Sequence, residues 1–172
     1  MRRGEGPHGG TPFHTHSVSL ILMPEEQINR REAEKHGLYD ADFVLWSQLN
    51  AELLRAGATA EADLAHIAEE IEDMGKARAH ALESRIERIL EHLLKLHLAS
   101  GGLREGNERA WRTSIVRQQL AIKHLLKESP SLRASVPGMY AEAYPEAVRI
   151  VGVGFGFECP AECPFTLEEV LG

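Results

Sequence analysis

The densest run of groups able to bind a metal or move a proton is His66-Ile67-Ala68-Glu69-Glu70-Ile71-Glu72-Asp73. His66 and Glu70 are four residues apart and share a helical face. Histidine and carboxylate at such spacing build metal sites in helical bundles. With Leu64 at zero and about 100° per residue, His66 and Glu69 fall at roughly 200° and 140°, on the side expected to face solvent. Glu70 and Glu72 fall at roughly 240° and 80°, flanking the apolar stripe on opposite sides. These two are therefore placed to meet neighbouring helices. Paired with Arg or Lys they are salt bridges; unpaired and partly buried they carry raised pKa values and serve acid–base chemistry. His92-Leu93-Leu94-Lys95 sets two more ionisable groups beside the core, at roughly 280° and 220°. Trp111-Arg112 adds an anchoring ring and a guanidinium. Arg112 suits a pairing with Glu70 or Glu72, or a bidentate grip on a carboxylate or phosphate. Glu70, Glu72, His92, Lys95, Trp111 and Arg112 thus form the candidate polar interhelical cluster.

Distance limits what this cluster does. Glu70 and His92 are 22 residues apart, about 33 Å on an unbroken helix, so they share an ion only if the helix reverses or two chains pair antiparallel. His97 lies about 140° from His92, too far round a straight helix for joint chelation. Other motifs are weaker. Gly152-Val153-Gly154-Phe155-Gly156 follows a helix, opens none and lacks a lysine for a phosphate. Cys159 and Cys163 form one spaced pair without a second, a poor zinc signal. His8, His14 and His16 bind a metal only as loosely as any histidine-rich tract. No Gly-x-Ser-x-Gly or His-Glu-x-x-His occurs. No metal site and no cofactor are expected.

The elements that position these residues read as helices. Phe43, Trp46, Leu49, Leu53 and Leu54 recur at helical spacing, with Asp40 placed as the cap and Gly57 as the stop. Leu64, Ile67, Ala68, Ile71, Met74, Leu82, Ile86, Ile89, Leu93 and Leu96 stay within about 80° of one line. One long helix over about residues 60–99 is therefore expected, close to 60 Å in length. Gly75 lies on its apolar side and is read as a point of close helix approach. Gly101, Gly102 and Gly106 are read as a loop and Asn107 as the cap of the next helix, whose stripe is Trp111, Ile115, Ile122, Leu125 and Leu126. Pro130 stops it. A further helix covers about residues 138–151, with Tyr140, Tyr144, Ala147, Val148 and Val151 inward and a kink or restart near Tyr144 imposed by Pro145. Thr166-Leu167-Glu168-Glu169 is a capping box. No stretch alternates as a strand does. The expected fold is all-α, a four- or five-helix bundle built around the long central helix.

The 172 residues, 43% hydrophobic and 26% charged, suit one globular domain. Residues 1–22, rich in Gly and Pro, are expected to be a disordered extension, with 23–172 as the bundle domain. Either Met1 or Met23 fits as the start. A short helix over Glu25–His36, stopped by Gly37, is expected between them. No apolar run approaches the roughly 20 residues of a membrane helix, so a cytoplasmic location is expected. The net charge of −7 argues against wholesale nucleic-acid binding. Charge is nonetheless segregated. Residues 38–75 hold one basic and nine acidic residues, a balance of −8, whereas 76–127 hold eleven basic and five acidic, a balance of +6. Acidic helices packed beside basic ones explain this, and a basic groove for an anionic ligand is the sharper alternative.

Tyr39-Asp40-x-Asp42-Phe43-x-x-Trp46, Leu53-Leu54-Arg55-Ala56-Gly57, Glu69-Glu70-Ile71-Glu72-Asp73-Met74-Gly75, His92-Leu93-Leu94-Lys95, Trp111-Arg112-x-Ser114-Ile115, Pro130-Ser131-Leu132 and Glu162-Cys163-Pro164-Phe165-Thr166 occur in this order. With them, about residues 38–172 resemble the bacterial family catalogued as Domain of Unknown Function 29. The resemblance implies an all-helical fold and a bacterial source, and no reaction. It marks Glu70, His92, Lys95, Trp111 and Arg112 as family-motif positions. The sequence departs from the family pattern at Pro145 and in Gly152–Phe157, which suggests a shortened last helix. The expected function is a non-catalytic interaction module that self-associates or binds a protein partner, because a helix near 60 Å exceeds what its shorter neighbours cover. The alternatives are an enzyme or small-ligand or metal-binding protein with a polar site around Glu70, His92 and Arg112, and nucleic-acid binding through residues 76–127.

Overall fold

The structure, a computed structural model, describes residues 37–172. The expectations for the N-terminal extension, for a start at Met23 and for a helix over Glu25–His36 lie outside the described residues. The described residues are helical, with no strand among them. They comprise α1 (Phe43–Arg55), α2 (Leu64–Leu98), α3 (Gly101–Glu128), a 3-10 turn (Pro130–Ser135), α4 (Val136–Phe155) and α5 (Leu167–Leu171). The all-α class built on a long helix stands. The chain divides into two compact units, one ending at His66 and one running from Ile67 to Gly172.

In the first unit residues 37–41 are already helical, so Asp40 is not the cap. A cap needs non-helical backbone. That break falls at Asp42 (φ −152°, ψ 87°), whose side chain accepts from the Leu45 N–H at 2.9 Å. Gly57 ends α1 as expected. At φ +74° it closes a Schellman motif, with Gly57 N–H on the Leu54 carbonyl and Ala58 N–H on that of Leu53.

Helix α2 runs 35 residues, about 52 Å, without interruption at Gly75. A side chain added at Gly75 meets nothing within 4 Å among the described residues, so this glycine is not a point of close approach. The chain then turns through Ala99 and Ser100, and α3 opens at Gly101 with φ +55°. The expected glycine loop is absent: Gly102 and Gly106 lie inside α3, and Asn107 is internal, bonding back to the Leu103 carbonyl. Arg78 reaches Glu128, Arg85 reaches Gln118, and Arg104 reaches the Leu96 carbonyl. Each such pair sums to a nearly constant residue number, so α2 and α3 form an antiparallel hairpin.

Helix α4 runs without interruption past Tyr144 and Pro145 to Phe155, longer than expected at both ends. Proline leaves the carbonyl four residues back unpaired. Here that residue is Ala141, and both it and Pro145 are exposed, so the proline falls on the solvent side of the helix, which continues without a restart. Gly156 (φ +68°) supplies the left-handed cap. The Thr166–Glu169 capping box opens α5 as expected.

The core of the second unit gathers Leu82, Ile86, Ile89, Leu90 and Leu94 of α2 with Trp111, Ile115 and Ile122 of α3, Ala147 and Val151 of α4 and Val170 of α5. Full burial of each such aliphatic side chain contributes about 1.5–3 kcal/mol. Leu90 and Leu94 fall outside the expected stripe, because the C-terminal half of α2 is covered around most of its circumference. Its earlier turns differ: Ile71 and Met74 are 59% and 61% exposed.

Candidate functional site

Polar chemistry gathers in two closed clusters and on one open face. The first cluster belongs to residues 37–66. Asp63, one residue before α2, is buried. Its carboxylate accepts from Trp46 Nε1 at 3.2 Å and from the His66 backbone N–H at 3.5 Å, and lies 2.7 Å from His66 Nδ1. Asn50 completes the network: its Oδ1 accepts from Asp63 N–H at 2.7 Å and its Nδ2 donates to the Trp46 carbonyl. Tyr39 stacks on His66, with ring centroids 4.0 Å apart. Burial alone raises the Asp63 carboxyl, but the hydrogen bonds from His66 and Trp46 outweigh it and hold it below the ordinary value. Sequence reasoning missed this cluster because it placed His66 towards solvent. A cap aspartate followed three residues later by histidine was the available signal.

The second cluster lies where α2 meets α3 and the end of α4. Lys95 and Glu91 are both buried, with Nζ and Oε2 3.1 Å apart. Lys95 Nζ also stands 5.1 Å from the Phe155 ring centroid, a cation–π contact. Trp111 meets Phe155 edge-on at 6.3 Å. Lys95 and Trp111 are thus joined through a residue of the glycine-rich stretch. Glu91 was not foreseen, since it lies about 180° from the apolar line; its four-residue spacing from Lys95 was the only sign. His92 is half-buried, and its Nδ1 has no hydrogen-bond partner among the described residues. Burial, then the Lys95 charge, push its pKa below the ordinary value, against the pull of Glu91.

The remaining candidates lie elsewhere. Arg112 is exposed and grips Glu108, at 2.7–2.8 Å, rather than Glu70 or Glu72. Glu72 is exposed, 4.0 Å from Lys76. Glu70 is half-buried in α2, about 33 Å along the helix from His92. The six residues therefore do not meet at one point. Among the described residues no three His, Cys, Asp or Glu side chains gather to hold a metal ion. Cys159 and Cys163 are free and half-buried. They lie beside Tyr140 and Tyr144, whose hydroxyls donate to the carbonyls of Phe165 and of Pro160 and Glu162. Burial, then a hydrogen bond with Cys163, push the Tyr140 hydroxyl up to about 12.

The open face is the outer side of α3. Gly106, Arg109, Ala110, Thr113, Ser114 and Arg117 line a shallow groove of about 500 Å³. Val116 and Leu120, 53% and 64% exposed, continue it, and Lys123 borders them. Among the described residues Arg109, Arg117 and Lys123 make no ion pair. No helix of the described residues is long and apolar enough to cross a membrane.

No curated protein and no solved structure matches the chain. The family described as Domain of unknown function DUF29 matches residues 38–172, which span both polar clusters and the open face. The chain therefore belongs to the DUF29 family.

Proposed function

We propose that this protein is a non-catalytic helical interaction module of the bacterial cytoplasm that works by associating with further copies of itself. The observation that carries this reading is the outer face of α3, where Val116 and Leu120 stand exposed beside cations that make no ion pair among the described residues. Isolated surface aliphatics need no explanation, but a contiguous apolar strip rimmed by charge marks a protein-binding surface. The polar clusters support the reading from the other side. Asp63, His66, Trp46 and Asn50 satisfy one another, as do Glu91 with Lys95 and Arg112 with Glu108. Such closed networks hold helices in place. Glu91, Lys95 and Trp111 accordingly serve the bundle.

Sedimentation velocity of the full chain over a wide concentration range tests the proposal. Association that strengthens with concentration is expected, and Leu120→Asp weakens it while leaving the far-UV circular dichroism unchanged. A chain that stays monomeric at every concentration overturns the reading.

A further inference from the structure

We infer that the outer face of α3 docks α1 of a second copy, with Asp40, Asp42 and Glu52 set against the cations of α3; this rests on the self-association proposed above. The face cannot pair with its own twin. Arg109, Arg117, Lys123 and Lys127 all lie on it or border it, and setting them against the same residues of another copy juxtaposes like charges, which costs several kcal/mol. Its complement must be acidic and must also present apolar side chains.

Residues 38–56, which contain α1, meet both requirements: they hold Asp40, Asp42 and Glu52 against Arg55 alone. Within them α1 exposes Val44, Leu45 and Leu49, at 63%, 51% and 44%. Leu45 and Leu49 are four residues apart, as are Val116 and Leu120 on α3. Ridges formed by residues four apart on two helices interdigitate in the commonest mode of helix packing. Glu52 lies three residues beyond Leu49, and Lys123 three residues beyond Leu120, so each apolar pair carries a charge of opposite sign at its end. Asp40 and Asp42 add negative charge at the start of α1. On α3 the small side chains at Gly106 and Ala110 leave the groove that Arg109 and Arg117 border, so a visiting helix approaches the backbone closely there while its carboxylates meet the guanidinium groups. The residual acidity of 128–172, seven acidic against two basic residues, lacks such a ridge, its one strongly exposed aliphatic being Val153.

Charge reversal on the full chain tests the assignment by sedimentation velocity. One variant carries Arg117→Glu with Lys123→Glu, the other Asp40→Lys with Glu52→Lys, and far-UV circular dichroism with thermal melts checks that both fold. Each variant alone is expected to self-associate at least about tenfold more weakly than the parent chain. An equimolar mixture of the two recovers association, because a reversed α3 then meets a reversed α1. If the parent chain associates and the Arg117→Glu, Lys123→Glu variant does so equally well, the docking face is wrong while self-association stands. If both variants are weakened and the mixture stays dissociated, the pairing of α1 with α3 is wrong. A parent chain that is monomeric throughout removes the self-association reading and this inference with it.

Discussion

At the scale of single residues, the side chains with the most at stake are Glu91, His92 and Lys95. A buried ammonium is tolerable only while its carboxylate partner and the Phe155 ring face it. Glu91→Leu leaves that charge unpaired and is expected to cost about 3–5 kcal/mol in urea denaturation. Glu91→Leu combined with Lys95→Met removes both charges and should recover most of the loss, since a buried pair contributes little over an apolar replacement of similar volume. His92 gives a pH signature. Its folded pKa lies below the ordinary 6.5, chiefly through burial and then through Lys95. Folding thus favours the neutral ring, and the unfolded chain takes up the proton first as pH falls. The stability due to His92 is complete above the unfolded value of about 6.5 and is lost progressively as pH drops towards the lower folded value. Chemical denaturation at a series of pH values should show this slope in the parent chain and its absence in His92→Gln. His92, Lys95 and Trp111 were legible in the sequence because they flank a strong apolar stripe. Glu91 and Asp63 were not, since periodicity assigns acidic residues to solvent and burial of a charge depends on partners that only the folded chain supplies.

At the scale of elements, helix existence was readable and helix boundaries were not. The stripe from Leu64 to Leu96 identifies α2 because it keeps phase across Gly75, and α2 is indeed unbroken there. Glycine and proline misled at three places, for two physical reasons. A glycine in a helix costs only about 1 kcal/mol against alanine, which burial of Trp111 and Ile115 readily offsets, so Gly102 and Gly106 sit inside α3. Gly152 and Gly154 do the same in α4, and Pro145 survives because its side of the helix faces water. Only the glycines whose backbone angle is positive are required by geometry, and composition does not distinguish them. This separates two substitutions. Gly75→Ala, in open space within α2, should stabilise the chain by about 1 kcal/mol. Gly156→Ala, at φ +68°, should destabilise it by about 1–2 kcal/mol. Thermal melts of the two variants should therefore move in opposite directions. Equal destabilisation by both would mean that α2 packs closely at Gly75 after all.

At the scale of the whole molecule, the segregation of charge between 38–75 and 76–127 was visible in the sequence, but its meaning depends on what each helix face covers. Val116 and Leu120 lie roughly opposite the buried stripe of α3 in helical phase, and nothing in phase alone says that no other helix sits on them. Their exposure, beside cations that make no ion pair among the described residues, is what the proposed docking rests on. The internal bridges account for part of the positive segment: Arg78 with Glu128, Arg104 and Arg112 with Glu108, and Lys95 with Glu91. Among the described residues Arg88 of α2 and Arg109, Arg117, Lys123 and Lys127 of α3 make no ion pair, so four of these five cations lie on one helix. An interface that depends on them responds to ionic strength in a particular way. The Debye length falls from about 10 Å at 0.1 M salt to about 3 Å at 1 M, so sodium chloride over that range should weaken self-association and slow its onset. Apolar contacts alone do not weaken with added salt in this manner. In the Arg117→Glu, Lys123→Glu variant the reversed charges repel α1, so whatever association persists through Val116 and Leu120 should strengthen, not weaken, as salt screens that repulsion. Sedimentation equilibrium of both proteins across the salt series therefore separates the attraction between charges from the apolar ridge. Association in the parent chain that is indifferent to salt would show that the cations of α3 face a partner without carboxylates, and not α1.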